Sequence, residues 1–311
     1  MKIVIIGNGK IASDCIRIML EKGTHAVLHV FYEQQKNPEP AALMKTISEF
    51  QLNASSIHRI HDEENVNILA NLNPDWIFNI NCYQYLRPQV LAAASKGVIN
   101  FHNGPLPLYG GVNISSWPII NRETHHGVTW HLVNEGIDKG DILAQSFFEI
   151  GPRWTAAKLM SFCILEGIQL FEKFWEGWVN GEIQARPQHD QSTYYSLKDT
   201  PPNDGYLSWE KSASELDALV RGLHLFPFHN SFGFAKIKIS HHNFIIIQTK
   251  IESGHDHSKV GQILSLTEKG LVVQCAEDKL HIQTIADTHC QPINWSTFQT
   301  MTHLQEGDWL M

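Results

Sequence analysis

The chain has 311 residues, enough for two domains of ordinary size, and its 43% hydrophobic and 10% aromatic content can fill their cores, which excludes wholesale disorder. Twenty-four basic against 32 acidic side chains give a formal net charge of −8, a balance that disfavours a general nucleic-acid binder or a protein docking on an anionic membrane. No apolar run approaches the roughly 18 residues of a membrane span, and five scattered cysteines without a CxxC pair read as free thiols in a reducing, cytoplasmic setting.

The opening Met-Lys-Ile-Val-Ile-Ile-Gly is too short for a signal peptide and reads as a first core strand over 2–6. Ile11, Cys15, Ile18 and Met19 then recur at helical spacing. A strand over 26–31, helices near 40–50 and 63–72, and a buried strand over 74–80 follow. Residues 88–96 read as a helix stopped by Gly97, and 98–101 as strand again. This alternation predicts an α/β, Rossmann-like, mostly parallel sheet with helices on both faces. Beyond it come a proline- and glycine-rich loop over 102–112, a helix over 113–121, an exposed-edge strand over 127–134, a strand over 142–150 and a long amphipathic helix over 155–178. Three prolines between 185 and 205, with little periodicity, mark a linker. The expected division is a first domain over 1–185, a linker over 186–205 and a second domain over 206–311. In the second, one helix near 213–223 precedes five short β runs, which predicts a small β-barrel-like (OB-like) fold.

Two motifs compete for the chemistry. Gly7-Asn8-Gly9-Lys10-Ile11-Ala12 matches G-x-G-x-x-A between a strand and a helix, and Glu33 ends the second strand, where a dinucleotide fold places a ribose-binding acid. That pattern alone suits an NAD(P)-dependent oxidoreductase. The second motif is denser. Asn100 and His102 lie two residues apart at a strand's carboxyl end and project to the same side, at the sheet edge where ligands bind in open α/β folds. Asn103-Gly104-Pro105-Leu106-Pro107-Leu108-Tyr109-Gly110-Gly111 follows, rigid at its prolines and open at its glycines, with Pro105, Tyr109 and Gly111 as candidate substrate-binding residues. Gly136-Ile137-Asp138-Lys139-Gly140-Asp141 adds a tight turn with two carboxylates. An amide donor, a titratable imidazole and a carboxylate suit acyl transfer. His125, His126, His131, His241, His242, His255 and His257 have no spaced cysteine or acid set beside them, so they read as surface or packing histidines and no metal site is expected.

With Gly127-Val128-Thr129-Trp130-His131, these segments resemble the formyltransferase family that uses 10-formyltetrahydrofolate. Pro202-Asn203-Asp204-Gly205, Val220-Arg221-Gly222-Leu223 and Gly261-Gln262-Ile263-Leu264 resemble the carboxyl-terminal domain of methionyl-tRNA formyltransferases and their relatives, so the likeness spans nearly the whole chain in the family's order. The resemblance implies a catalytic triad of Asn100, His102 and Asp138, and a first sheet that binds folate despite the glycine turn. It implies a pterin set against Cys82, Tyr83 and Leu86 and against the loop carrying Asn134, Gly136 and Ile137.

The acceptor is read from departures. Family members acting on initiator tRNA carry Ser-Leu-Leu-Pro after the histidine and a basic glycine-arginine-rich loop after the second strand. Here Asn103-Gly104-Pro105-Leu106-Pro107 follows His102, and Tyr32–Pro40 holds one lysine against two acids. The Gly-Pro-Leu-Pro-x-Tyr variant is more similar to formyltransferase domains of peptide synthetases, which act on carrier-bound aminoacyl groups. The expected acceptor is a carrier-tethered or small-molecule amine, with a nucleotide-linked amino sugar close behind and methionyl-tRNA as the alternative.

Overall fold

The computed structural model describes residues 1–22, 25–33, 41–82, 84–189, 191–254 and 259–310. Tyr83, residues 34–40 of the acidic loop, His255 and His257 lie outside the described residues. In chain order the first elements are β1 (Lys2–Gly7), α1 (Gly9–Glu21), β2 (Ala26–Glu33), α2 (Ala41–Glu49), β3 (Ala54–Ile57), α3 (Glu63–Leu72), β4 (Trp76–Ile80), α4 (Pro88–Leu91) and β5 (Gly97–His102). They continue with β6 (Gly110–Gly111), α5 (Trp117–Ile120), β7 (His125–Leu132), β8 (Ile142–Glu149), α6 (Ala156–Val179) and β9 (Tyr194–Tyr195).

Seven strands form one sheet in the order β3-β2-β1-β4-β5-β7-β8. The pairs from β3 to β5 are parallel. Continuous apolar runs suit such strands because helices cover both faces, and Ile3, Val4, Ile5 and Ile6 of β1 are wholly buried. β7 is added antiparallel to β5. The sequence places it at an exposed edge; instead β8 covers it and nearly all of it is buried. Its alternation of small and polar residues records a polar interior face, not solvent. β3 is an added edge strand whose Ala-Ser-Ser-Ile sequence carries no apolar signal. The helix expected over 88–96 ends after one turn at Leu91, because Ser95 and Lys96 donate backbone hydrogen bonds to Pro74 and Asp75 and so turn the chain into β5. The helix expected over 113–121 shrinks to α5.

The remaining elements are α7 (Ala213–Gly222), β10 (Lys236–Ile239), β11 (His242–Glu252), β12 (Ile263–Thr267), β13 (Gly270–Gln274), β14 (Lys279–Ala286), β15 (Pro292–Ile293) and α8 (Trp295–Thr302). The strands make an antiparallel, half-barrel sheet in the order β10-β11-β14-β13-β12, with β15 on β14. Ser212 and Glu215 close a capping box that fixes the start of α7.

Two compact units result. The first holds residues 1–112, 125–148 and 160–195; the second holds 113–124, 149–159 and 196–311. Residues 186–195, read from sequence as linker, thus pack in the first unit and carry β9. In the second unit Asp217, 1% exposed, accepts from Arg153 Nη1 at 2.8 and 2.9 Å, Arg221 Nε at 2.7 Å and Thr249 Oγ1 at 2.8 Å. Neutralising one member of a buried, hydrogen-bonded ion cluster leaves its partners uncompensated. Asp217→Asn is therefore expected to lose about 3 kcal/mol of unfolding free energy in urea titrations. An unchanged midpoint would show that the cluster contributes nothing to stability.

Candidate functional site at the end of the parallel sheet

Register assembles the site. Antiparallel pairing sets Asn100 opposite His131 and His102 opposite Thr129, so these four side chains share one face of the β5–β7 ladder. Asn79, in register with Asn100 on β4, donates from Nδ2 to Asn100 Oδ1 at 2.7 Å. Asn100 Nδ2 in turn lies 3.0 Å from His131 Nε2. His131 Nδ1 is 2.8 Å from the Leu132 carbonyl, which can only accept, so Nδ1 carries the proton and Nε2 accepts from Asn100. The carboxamide is held at both ends. Its second N–H has no partner among the described residues and remains for an incoming oxygen.

His102 is fixed by the same logic. Its Nε2–H donates to the Tyr109 carbonyl at 2.7 Å, which leaves Nδ1 as the basic nitrogen, 3.7 Å from Asp138 Oδ2. The other carboxylate oxygen, Oδ1, is 3.7 Å from His131 Nε2. Gly111 N–H donates to Asp138 Oδ2 at 2.8 Å. One amide, two imidazoles and one carboxylate therefore converge on one face of the β5–β7 ladder, with Asp138 between the rings.

The sequence-derived residues fall into three groups. Asn100, His102 and Asp138 come together. Tyr109 turns its ring inward, stacked on Tyr195 at 5.6 Å, and meets the site through its backbone, as does Gly111; Pro105 is buried. Cys82 and Leu86 pack in the core with Val4, Ile6 and Val90, while Asn134, Gly136 and Ile137 are exposed on their loop. Asp141 is also exposed. His131 is a site residue that sequence reasoning left among packing histidines; its place directly across the ladder from Asn100 was the signal. Asn79 was missed likewise, for want of the strand order. Glu33, the acid of the dinucleotide pattern, is already engaged: Asn8 Nδ2 donates to it at 2.8 Å and Gln84 Nε2 at 3.0 Å.

A neutral donor, an imidazole and a carboxylate clustered at the carboxyl end of an α/β sheet have the chemistry that acyl transfer needs. Residues 1–166 match the family described as formyl transferase, and residues 200–301 match the formyl transferase C-terminal domain. A methionyl-tRNA formyltransferase of Alkaliphilus oremlandii is 31% identical over 92% of this chain and 91% of its own length. One from Clostridium beijerinckii is 30% identical over 79% and 77%. Among solved structures, an N-formyltransferase from Helicobacter canadensis in complex with folinic acid and dTDP-3-aminofucose superposes with a TM-score of 0.68 at 19% identity, covering 91% of this chain and 99% of that one. HypX from Aquifex aeolicus superposes with a TM-score of 0.64 at 15% identity over 98% of this chain and 48% of its own. The chain belongs to the formyl transferase family, and it is an N-formyltransferase.

Burial sets the charge state of this region. It pushes His131 down to about 4 against the opposing pull of Asp138, and His126 down to about 4 against its bond to the Asn103 carbonyl. Both rings are therefore neutral in the folded protein near neutral pH, whereas unfolded histidine titrates at about 6.5. As pH falls below that value the unfolded chain takes up protons the folded one refuses, so stability declines from about pH 6.5 down to about 4. Each ring accounts for about 2 kcal/mol of that loss by pH 5. His126→Gln should accordingly lose about 2 kcal/mol less than the parent between pH 7.5 and 5 in urea unfolding. Equal losses in the two proteins would contradict the assignment.

Proposed function

We propose that this enzyme transfers the formyl group of 10-formyltetrahydrofolate to the uncharged primary amine of a small-molecule or carrier-tethered acceptor: an aminoacyl group on a carrier, or a nucleotide-linked amino sugar. The observation that carries the reading is Asn100, locked by Asn79 and His131 so that one N–H is left over beside a basic imidazole. The donor set fits a formyl amide. That group needs a hydrogen-bond donor for its oxygen, which Asn100 has, and its neighbouring N–H groups need an acceptor. Asn79 Oδ1 is buried with no partner among the described residues and can serve. The folinic acid held by the Helicobacter relative supports a folate donor. Tyr85, beside the buried Cys82 and Leu86, and the 134–137 loop with Ile137 would hold the pterin, since Tyr85 and Ile137 are both exposed.

When bound, the folate supplies an electrophilic formyl carbon. Asn100 then donates to the oxygen as negative charge gathers there. His102 takes the amine proton at Nδ1, since Nε2–H is committed to Tyr109. Asp138 faces that nitrogen across 3.7 Å and stabilises the imidazolium until the proton passes to the departing nitrogen. Neutral His131 keeps Asn100 turned to the substrate; a protonated ring would present an N–H to the Asn100 N–H and displace it.

Methionyl-tRNA is the second reading, favoured by the names of the Alkaliphilus and Clostridium relatives. Against it stands charge. Acidic residues outnumber basic ones across the chain and again from residue 196 onward, so the second unit lacks the excess of cations that phosphate binding draws on. Mass spectrometry of an aminoacyl carrier, an amino-sugar nucleotide and methionyl-tRNA, each incubated with 10-formyltetrahydrofolate, decides the acceptor. A formyl gain on tRNA alone overturns the small-amine reading. With the acceptor that reacts, Asn100→Ala should lower kcat by about a hundredfold to a thousandfold, as loss of one oxyanion donor does. Near-normal turnover would remove Asn100 from the mechanism.

A further inference from the structure

We infer that residues 186–189 and 191–195 form a strap that completes the catalytic site, in which Thr193 positions His102 and Gln188 positions Asp138. The inference rests on the roles given above to His102 and Asp138. The segment falls between the two stretches that match the family, and its aperiodic sequence resembles a connector. Its hydrogen bonds do otherwise.

Two catalytic groups depend on residues in left-handed backbone. Tyr109 has φ 56° and Asp138 φ 54°, a conformation that costs a non-glycine residue about 1–2 kcal/mol and persists only where neighbours hold it. The strap holds both. Thr193 Oγ1 accepts the Tyr109 N–H at 2.7 Å, and the Thr193 carbonyl accepts the Gly110 N–H at 2.9 Å. Tyr109 is thereby gripped at its nitrogen while its carbonyl grips His102 Nε2–H. Gln188 spends both amide hydrogens on the Asp138 turn, donating to the carbonyls of Asp138 at 2.8 Å and Gly140 at 2.7 Å. Both ends of the strap are anchored. Arg186 exchanges backbone hydrogen bonds with Ile142, and Val112 N–H donates to the Tyr195 carbonyl. Close approach also demands glycine at 111, where a Cβ would lie 1.9 Å from the Tyr195 oxygen. That same glycine donates its N–H to Asp138.

If Thr193 loses its oxygen, the Tyr109 N–H is left unsatisfied, and Tyr109 can relax from the left-handed region by tilting its carbonyl away from His102. The imidazole then has no acceptor fixing its proton at Nε2, and Nδ1 ceases to be the uniquely basic nitrogen. Neither Thr193 nor Gln188 has to touch substrate for this to matter.

The test compares Thr193→Val, which keeps the shape and removes the acceptor, with Thr193→Ser, which keeps the acceptor. Thr193→Val should lower kcat by about tenfold or more with KM for donor and acceptor within twofold, and Thr193→Ser should restore it. In nitrogen-detected NMR of the 15N-labelled full chain, with the His102 signals assigned by their loss in His102→Gln, Thr193→Val should convert one Nε2–H tautomer into a mixture. Thr193→Ser should keep it single. A Thr193→Val enzyme with kcat within twofold of the parent, equal losses in Val and Ser, or an unchanged His102 tautomer each overturn the inference. Should Thr193→Val fail to fold, Gln188→Met poses the same question of Asp138: a tenfold fall in kcat at constant KM supports the strap, and parental turnover refutes it. The tautomer measurement needs no acceptor, so a parent protein that formylates nothing overturns the proposed function while leaving the strap to be judged by NMR.

Discussion

The antiparallel pairing of β7 against β5 is the constraint on which the site depends. A parallel strand in that place would need a long crossover and would pair its residues in a different pattern. Run the other way, β7 sets His131 directly across from Asn100 and brings its carboxyl end to the turn that carries Asp138. A slip of one residue would send His131 to the opposite face and put Leu132 or Trp130 beside the carboxamide. Trp130 resists such a slip, because it is fully buried against Phe101 and Phe171 and its Nε1–H is bonded to the Gly167 carbonyl. Apolar packing on one side of the ladder thus fixes polar geometry on the other.

Burying polar groups is expensive unless each is satisfied. Here satisfaction does chemical work. Each bond within the cluster removes a degree of freedom that solvent would otherwise randomise: an amide flip at Asn100, a tautomer at His131, another at His102. Around Asn100 itself, among the described residues, what is left over is one of its own N–H groups and Asn79 Oδ1. Electrostatic catalysis demands that dipoles be aimed before the reaction begins, and the hydrogen bonds of the ladder and the Tyr109 carbonyl fix the groups that would be aimed.

Much of the fold was legible in the sequence because a parallel sheet writes itself in continuous apolar runs: β1, β4 and α3 fall where periodicity places them. What was not legible has physical causes. Ala54–Ile57 pairs at an edge and has no need of apolar residues. β7 looked exposed because polar residues on an interior face and polar residues on a wet face give the same alternation. Residues 92–96 would propagate a helix in isolation, but the Pro74 and Asp75 carbonyls claim the amides of Ser95 and Lys96. In the candidate site, Asn100 and His102 stood out by residue type and spacing, and the family resemblance singled out Asp138; the fold brings the three together. Asn79, His131, Gln188 and Thr193 did not stand out, because each acts through a partner far away in sequence.

The path of the chain has a practical corollary. It leaves the first unit for the second at residue 113, returns, leaves again at 149, and departs finally after 195. Helix α5, on the first excursion, presses Ile120 to within van der Waals reach of Gly222 on α7, and Arg153, on the second, neutralises Asp217. A stop codon placed after the last strand of the catalytic unit would thus leave two orphaned excursions, one baring Trp117 and Ile120, the other a lone guanidinium. Modules threaded in this way are not separated by a single cut in the chain.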